Sequence, residues 1–160
     1  MSLNLQRPLA VFDLETTGTR IGKDRIVQIG IVRLMPDGTR EQYQTLVNPE
    51  MPIPAEATAV HGITDLDVAS APTLAMVARE VLDQLAGCDL CGFNVLRFDL
   101  PLLSEELSRI GYDWSTNDLR VVDVQRIFHQ MEPRDLSAAV RFYCGKDLHG
   151  AHDALIQLFL

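Results

Sequence analysis

The sequence predicts an α/β domain. Apolar strand-like runs open it, a Pro-Asp-Gly turn joins two of them, and helical periodicity takes over past residue 72. Ala10–Phe12 is short and apolar, and the Thr16-Thr17-Gly18 turn signal follows it. Ile26–Leu34 and Glu41–Val47 read as the next strands, with Met35-Pro36-Asp37-Gly38 as the hairpin turn between them. Asn48 to Pro72 is rich in proline and reads as a loop, of a length that in a compact domain usually has a job. Pro72-Thr73-Leu74 opens a helix through Leu85; Leu74, Val77, Ala78, Val81 and Leu85 share one face, and Gly87 stops it. Asp89–Phe93 reads as a strand. Asp99–Ile110 reads as a helix ending at Gly111, with Leu103, Leu107 and Ile110 turned inward. Val121–Met131 is a helix or a strand–helix unit, Asp135–Cys144 a helix capped at Gly145, and a last helix starts at Ala151. No repeat, low-complexity run or linker divides the chain, so residues 1–160 are expected to form one domain, with residues 1–7 a loose N-terminal extension.

At 160 residues and 47% hydrophobic, the chain is long enough to bury a sizeable core. No stretch approaches the roughly 18–20 continuous apolar residues of a membrane span, and Met1–Arg7 lacks the charged-then-apolar order of a signal peptide. A cytoplasmic location and no membrane partner are the expectation. The formal charge of −8 opposes a broad electrostatic grip on nucleic acid. It suits brief engagement of a strand end by local basic contacts, for which Arg20, Lys23, Arg25 and Arg97 are candidates, although each also reads as an ordinary solvated surface residue. Cys88 and Cys91 form a C-x-x-C pair, but no second pair supplies the further ligands of a zinc site. With Cys144 they read as buried thiols of a reducing compartment.

The chemistry concentrates at Val11-Phe12-Asp13-Leu14-Glu15-Thr16-Thr17-Gly18. Alternate strand residues face the same side, so Asp13 and Glu15 point together. Two bare carboxylates repel unless a cation sits between them, and hard divalent ions prefer oxygen ligands. A third acid, Asp99, follows Asn94 in Cys91-Gly92-Phe93-Asn94-Val95-Leu96-Arg97-Phe98-Asp99, where a helix can begin with Pro101 in its first turn. Taken alone, Asp99 also reads as a helix N-cap. Asp123, in Val121-Val122-Asp123-Val124, reads as a buried acid satisfied by hydrogen bonds rather than by metal.

Taken in order, D-L-E-T-T-G, N-x-x-x-F-D and the late Gly150-Ala151-His152-Asp153-Ala154-Leu155 resemble the DEDD superfamily of 3′–5′ exonucleases. The similarity is to the histidine-bearing subgroup that includes the proofreading epsilon subunit of bacterial DNA polymerase III. Asn48-Pro49-Glu50-Met51-Pro52-Ile53-Pro54 and Val60-His61-Gly62-Ile63-Thr64-Asp65 are similar to that subgroup's linking loop, and the likeness runs from about residue 8 to residue 156. The resemblance implies a ribonuclease H-like fold, a mixed five-stranded sheet with helices on both faces and the acids at one end of the central strands. It implies two divalent metal ions, Mg²⁺ or Mn²⁺, about 3.5–4 Å apart, acting on the attacking and leaving oxygens of a phosphodiester. Asp13 matches the carboxylate that bridges both metals, Glu15 a ligand of the metal holding the attacking water, and Asp99 the acid serving the second metal. His152 matches the general base, for which an imidazole titrating near neutrality is suited.

The same resemblance makes Leu14, Thr16, Thr17, His61, Asn94 and Phe98 candidate substrate contacts. The two threonines also read as turn residues, His61 and Asn94 as loop ties, and Phe98 as core packing or a wedge against a base. Single-stranded DNA or RNA 3′ ends are the implied substrate, with nucleoside monophosphates released, and a DNA polymerase subunit is a candidate partner. The chain departs from the subgroup at one position: five residues past His152, where an acid is expected, stands Gln157, and the final helix is short. His149 with Asp153 is one residue short of the expected spacing. The alternative to an active exonuclease is therefore a weakly active or silent relative that binds nucleic-acid ends or a polymerase partner.

Overall fold

The computed structural model of the protein describes residues 4–131. The chain divides into two compact units, residues 1–124 and 125–160, and the first contains the whole sheet. Three strands come first: β1 (Leu9–Thr16), β2 (Ile26–Leu34) and β3 (Arg40–Leu46). Then follow α1 (Ala55–His61), α2 (Asp65–Val68), α3 (Leu74–Leu85), β4 (Asp89–Gly92), α4 (Asp99–Arg109), β5 (Val121–Asp123) and α5 (Val124–Met131). The strands lie in the order β3-β2-β1-β4-β5. The pairs β3–β2 and β2–β1 are antiparallel, whereas β1–β4 and β4–β5 are parallel, so the sheet is mixed and five-stranded.

The first strand is longer than its apolar run. Asp13 and Glu15 do not end it, because β1 keeps pairing with β2 down to a register shift between Glu15 and Thr16. Its side chains simply alternate: Ala10, Phe12 and Leu14 are buried, while Asp13 is exposed and Glu15 half-buried. The buried face meets the five apolar positions of α3 and Leu100, Leu102, Leu103 and Leu107 of α4 in one core. Each such side chain contributes roughly 1.5–3 kcal/mol when fully buried. Ile110 packs against that core only in part. The expected helices at Asp135–Cys144 and from Ala151 lie outside the described residues. Among the described residues no helix is long and apolar enough to cross a membrane.

The proline-rich segment is not an irregular loop. It holds α1, which stops at Gly62 in the left-handed conformation (φ 78°), and α2, opened by a capping box in which Thr64 and Asp67 bond each other. Ile53, Ile63 and Val68 pack with Val27 in a small second core beneath them. Four- and seven-residue helices bury too little of their own surface to show a long periodic pattern, so the prolines dominate the sequence signal.

Candidate active site

The carboxyl end of β1 and the amino end of α4 meet. The backbone N–H of Leu14 donates to Asp99 Oδ1 at 3.1 Å, joining residues 85 apart in the chain. Leu14 sits between Asp13 and Glu15, so Asp99 lies against the peptide flanked by the other two acids. Asp99 is the first residue of α4 rather than its cap; Phe98 holds the cap position and makes no side-chain cap bond.

Close approach at this end requires glycine at residue 92. A Cβ there would come within 2.9 Å of the Phe12 carbonyl oxygen and 3.0 Å of Val95 Cβ, so a larger residue would push β4 and its following turn away from β1. The turn itself is built on Asn94, whose φ of 58° few non-glycine residues adopt. Its carbonyl accepts from the N–H groups of Arg97 and Phe98.

Asp99 is 2% exposed, and its carboxyl titrates at about 6. Burial is the main cause and the neighbouring Asp13 charge the next; the Leu14 bond pulls the other way, and Glu15 adds a smaller push upward. An acid that senses both others is one whose repulsion a cation would relieve. Among the described residues no group of three or more His, Cys, Asp or Glu side chains is arranged as a preformed metal cage. The donor set is nonetheless the kind hard cations take: carboxylate oxygens without thiols.

The candidate substrate contacts are largely engaged within the chain. The Thr16 hydroxyl donates to the Gly18 carbonyl at 2.6 Å, and the Thr17 hydroxyl accepts from the Arg25 N–H at 2.9 Å. His61 Nδ1 accepts from the Ile63 N–H at 3.0 Å. Its hydrogen therefore sits on Nε2, which donates to the Thr16 carbonyl at 3.1 Å. The ring so fastens the end of α1 to the end of β1. Phe98 packs in part against the core. Leu14 is buried and offers its backbone, already bonded to Asp99. His152, Gln157, His149, Asp153 and Cys144 lie outside the described residues.

Two of the four candidate phosphate contacts are held by acids of the chain. Arg20 bonds Asp24 through Nε and Nη2 at 3.1 and 3.0 Å, and Arg25 pairs with Glu106 at 3.3 Å. Lys23 and Arg97 are exposed. Asp24 and Glu106 are buried acids that sequence inspection passes over. The cue for Asp24 was its spacing four residues after Arg20; Glu106 had a weaker one, Arg109 three residues on, which bonds it at 2.6 Å. Asp123 is buried and accepts from two backbone N–H groups, as its apolar flanks suggested. Cys88 and Cys91 are buried free thiols.

A mixed five-stranded sheet with acids at the end of its central strand is the architecture of nucleases of the ribonuclease H-like fold. The chain belongs to the exonuclease (RNase T) family, whose model matches residues 10–156. It is 45% identical over 116 residues to a DNA polymerase III subunit epsilon-like protein of Rhodobacter capsulatus, covering 70% of this chain and 16% of that one. It is 30% identical over 144 residues to the 3′-5′ exonuclease DinG of Staphylococcus haemolyticus, covering 90% of this chain and 15% of that one. The fold matches E. coli Exonuclease I in complex with an oligonucleotide at a TM-score of 0.69 and 22% identity, over 77% of this chain and 29% of the other. The chain thus spans between a tenth and a sixth of the length of the curated relatives it matches. Exonucleases of the DEDD type generally use divalent metals.

Proposed function

We propose that the chain is a metal-dependent 3′–5′ exonuclease domain that hydrolyses phosphodiester bonds at single-stranded 3′ ends and releases nucleoside monophosphates. The observation that supports this best is the Leu14–Asp99 bond, which draws a third acid to the strand bearing Asp13 and Glu15. Two divalent ions, Mg²⁺ or Mn²⁺, would supply the charge that stabilises the attacking and leaving oxygens. Asp13 and Glu15 on the strand and Asp99 on the helix are the residues that would hold them. His152, as general base, removes the proton of the attacking water. Exposed Lys23 and Arg97 are available to the substrate backbone. Association with a DNA polymerase belongs to the same proposal, on the strength of the epsilon-like relative's name.

A 5′-labelled oligonucleotide incubated with Mn²⁺ tests the activity. Stepwise shortening by the native chain, lost in Asp13→Ala, is the expected result; an intact oligonucleotide under the same conditions contradicts it. Gln157 favours a second reading, a domain that binds ends without cleaving them. A gel shift without shortening selects that reading, and Gln157→Asp then restores cleavage if the missing acid is the cause.

A further inference from the structure

Neither the family chemistry nor the acids themselves explain what aims Asp99. The buried carboxylate of Asp123, at the end of β5, accepts from the Asn94 N–H at 3.1 Å through Oδ1 and from the Leu96 N–H at 3.2 Å through Oδ2. Those two amides lie within the turn that leads into Asp99. Between them and α4 the turn is held by further backbone bonds: Arg97 and Phe98 N–H to the Asn94 carbonyl, and Leu100 N–H to the Val95 carbonyl at 2.9 Å. Hydrogen bonds thus tie β5 to the turn, the turn leads along the chain from Phe98 into Asp99, and the Asp99 carboxylate accepts from the Leu14 amide on β1.

We infer that Asp123 is a positioning residue: its two-oxygen grip on Asn94 and Leu96 sets where the Asp99 carboxylate stands relative to Asp13 and Glu15. A carboxylate suits the task because both its oxygens accept, and both facing groups donate. An amide would match one donor and set its NH₂ against the other. Asn94 adopts the left-handed region (φ 58°) that Asn tolerates better than other non-glycine residues, and the Asp123 bond to its N–H fixes that turn to β5.

This inference rests on the exonuclease reading for its consequence, but its test does not need activity. In metal-free protein, hydrogen exchange of the Leu14 amide reports whether Asp99 is in place. Asp123→Asn is expected to speed that exchange at least 10-fold, and a core variant at the far end of α4, Leu107→Val, is expected to leave it unchanged. Mn²⁺ affinity should fall 10–100-fold in Asp123→Asn, the range for losing an outer-shell partner, with kcat reduced and KM for an oligonucleotide within about twofold. If Asp123→Asn does not fold, Asp123→Ser, which keeps one acceptor, is judged by the same exchange measurement. Native Leu14 exchange in a folded Asp123 variant overturns the inference. So does equal acceleration in Leu107→Val. A native chain that neither binds Mn²⁺ nor cleaves refutes the exonuclease reading while the Leu14 measurement still decides the role of Asp123.

Discussion

Asp99 carries a conflict between stability and chemistry. Its carboxyl titrates at about 6, above the ordinary carboxylate range, so the folded metal-free protein holds a proton there that the unfolded chain releases. The stability this proton gives is fully present below about pH 4 and is lost as pH rises through 6. The melting temperature of metal-free protein is therefore expected to fall between pH 5 and pH 7, and a saturating divalent cation to remove that fall. Asp99→Asn, whose amide oxygen can still accept from Leu14, should stabilise the metal-free protein at pH 7.5 by on the order of 1–3 kcal/mol. It should also abolish Mn²⁺ binding in a calorimetric titration. A destabilised Asp99→Asn would show that the charge is already compensated within the protein.

Elements set how close these residues come. Gly92→Ala is expected to cost about 1–3 kcal/mol by overpacking against the Phe12 carbonyl, measured as a shift in the urea midpoint with unchanged slope. Midpoints within experimental error of each other would mean that β4 shifts freely. Much of this level was legible in the sequence. The helix from Leu74 to Leu85 buries the five residues its periodicity named, because an amphipathic stripe of twelve residues leaves little choice of face. The strand Ile26–Leu34 matches to the residue. The end of β1 was not legible, because polar side chains on the face away from α3 and α4 look like a strand terminus when neighbouring strands are unknown. Neither were α1 and α2, held by a left-handed glycine and a capping box rather than by a stripe. At the candidate site, the sequence motifs named the three acids as candidates, whereas the Leu14 and Asp123 bonds are tertiary and leave no local pattern.

The whole molecule is acidic, and that constrains how it can hold a polyanion. With a net charge of −8, and with Arg20 and Arg25 held by Asp24 and Glu106, contact should be confined to the strand end. Each neutralised phosphate of a single strand adds about 0.7 to the slope of log affinity against log salt. A slope of about 1–2 is expected, and little gain in affinity as an oligonucleotide lengthens from about 4 to about 12 nucleotides; a steep slope with continued gain would indicate an extended basic track. The proposed cation site draws on two elements, Asp13 and Glu15 from β1 and Asp99 from α4. Paramagnetic broadening by substoichiometric Mn²⁺ examines that site directly. Simultaneous loss of the amide signals of residues 13–15 and of Asp99 is the predicted result, and broadening confined to one of the two segments would contradict it.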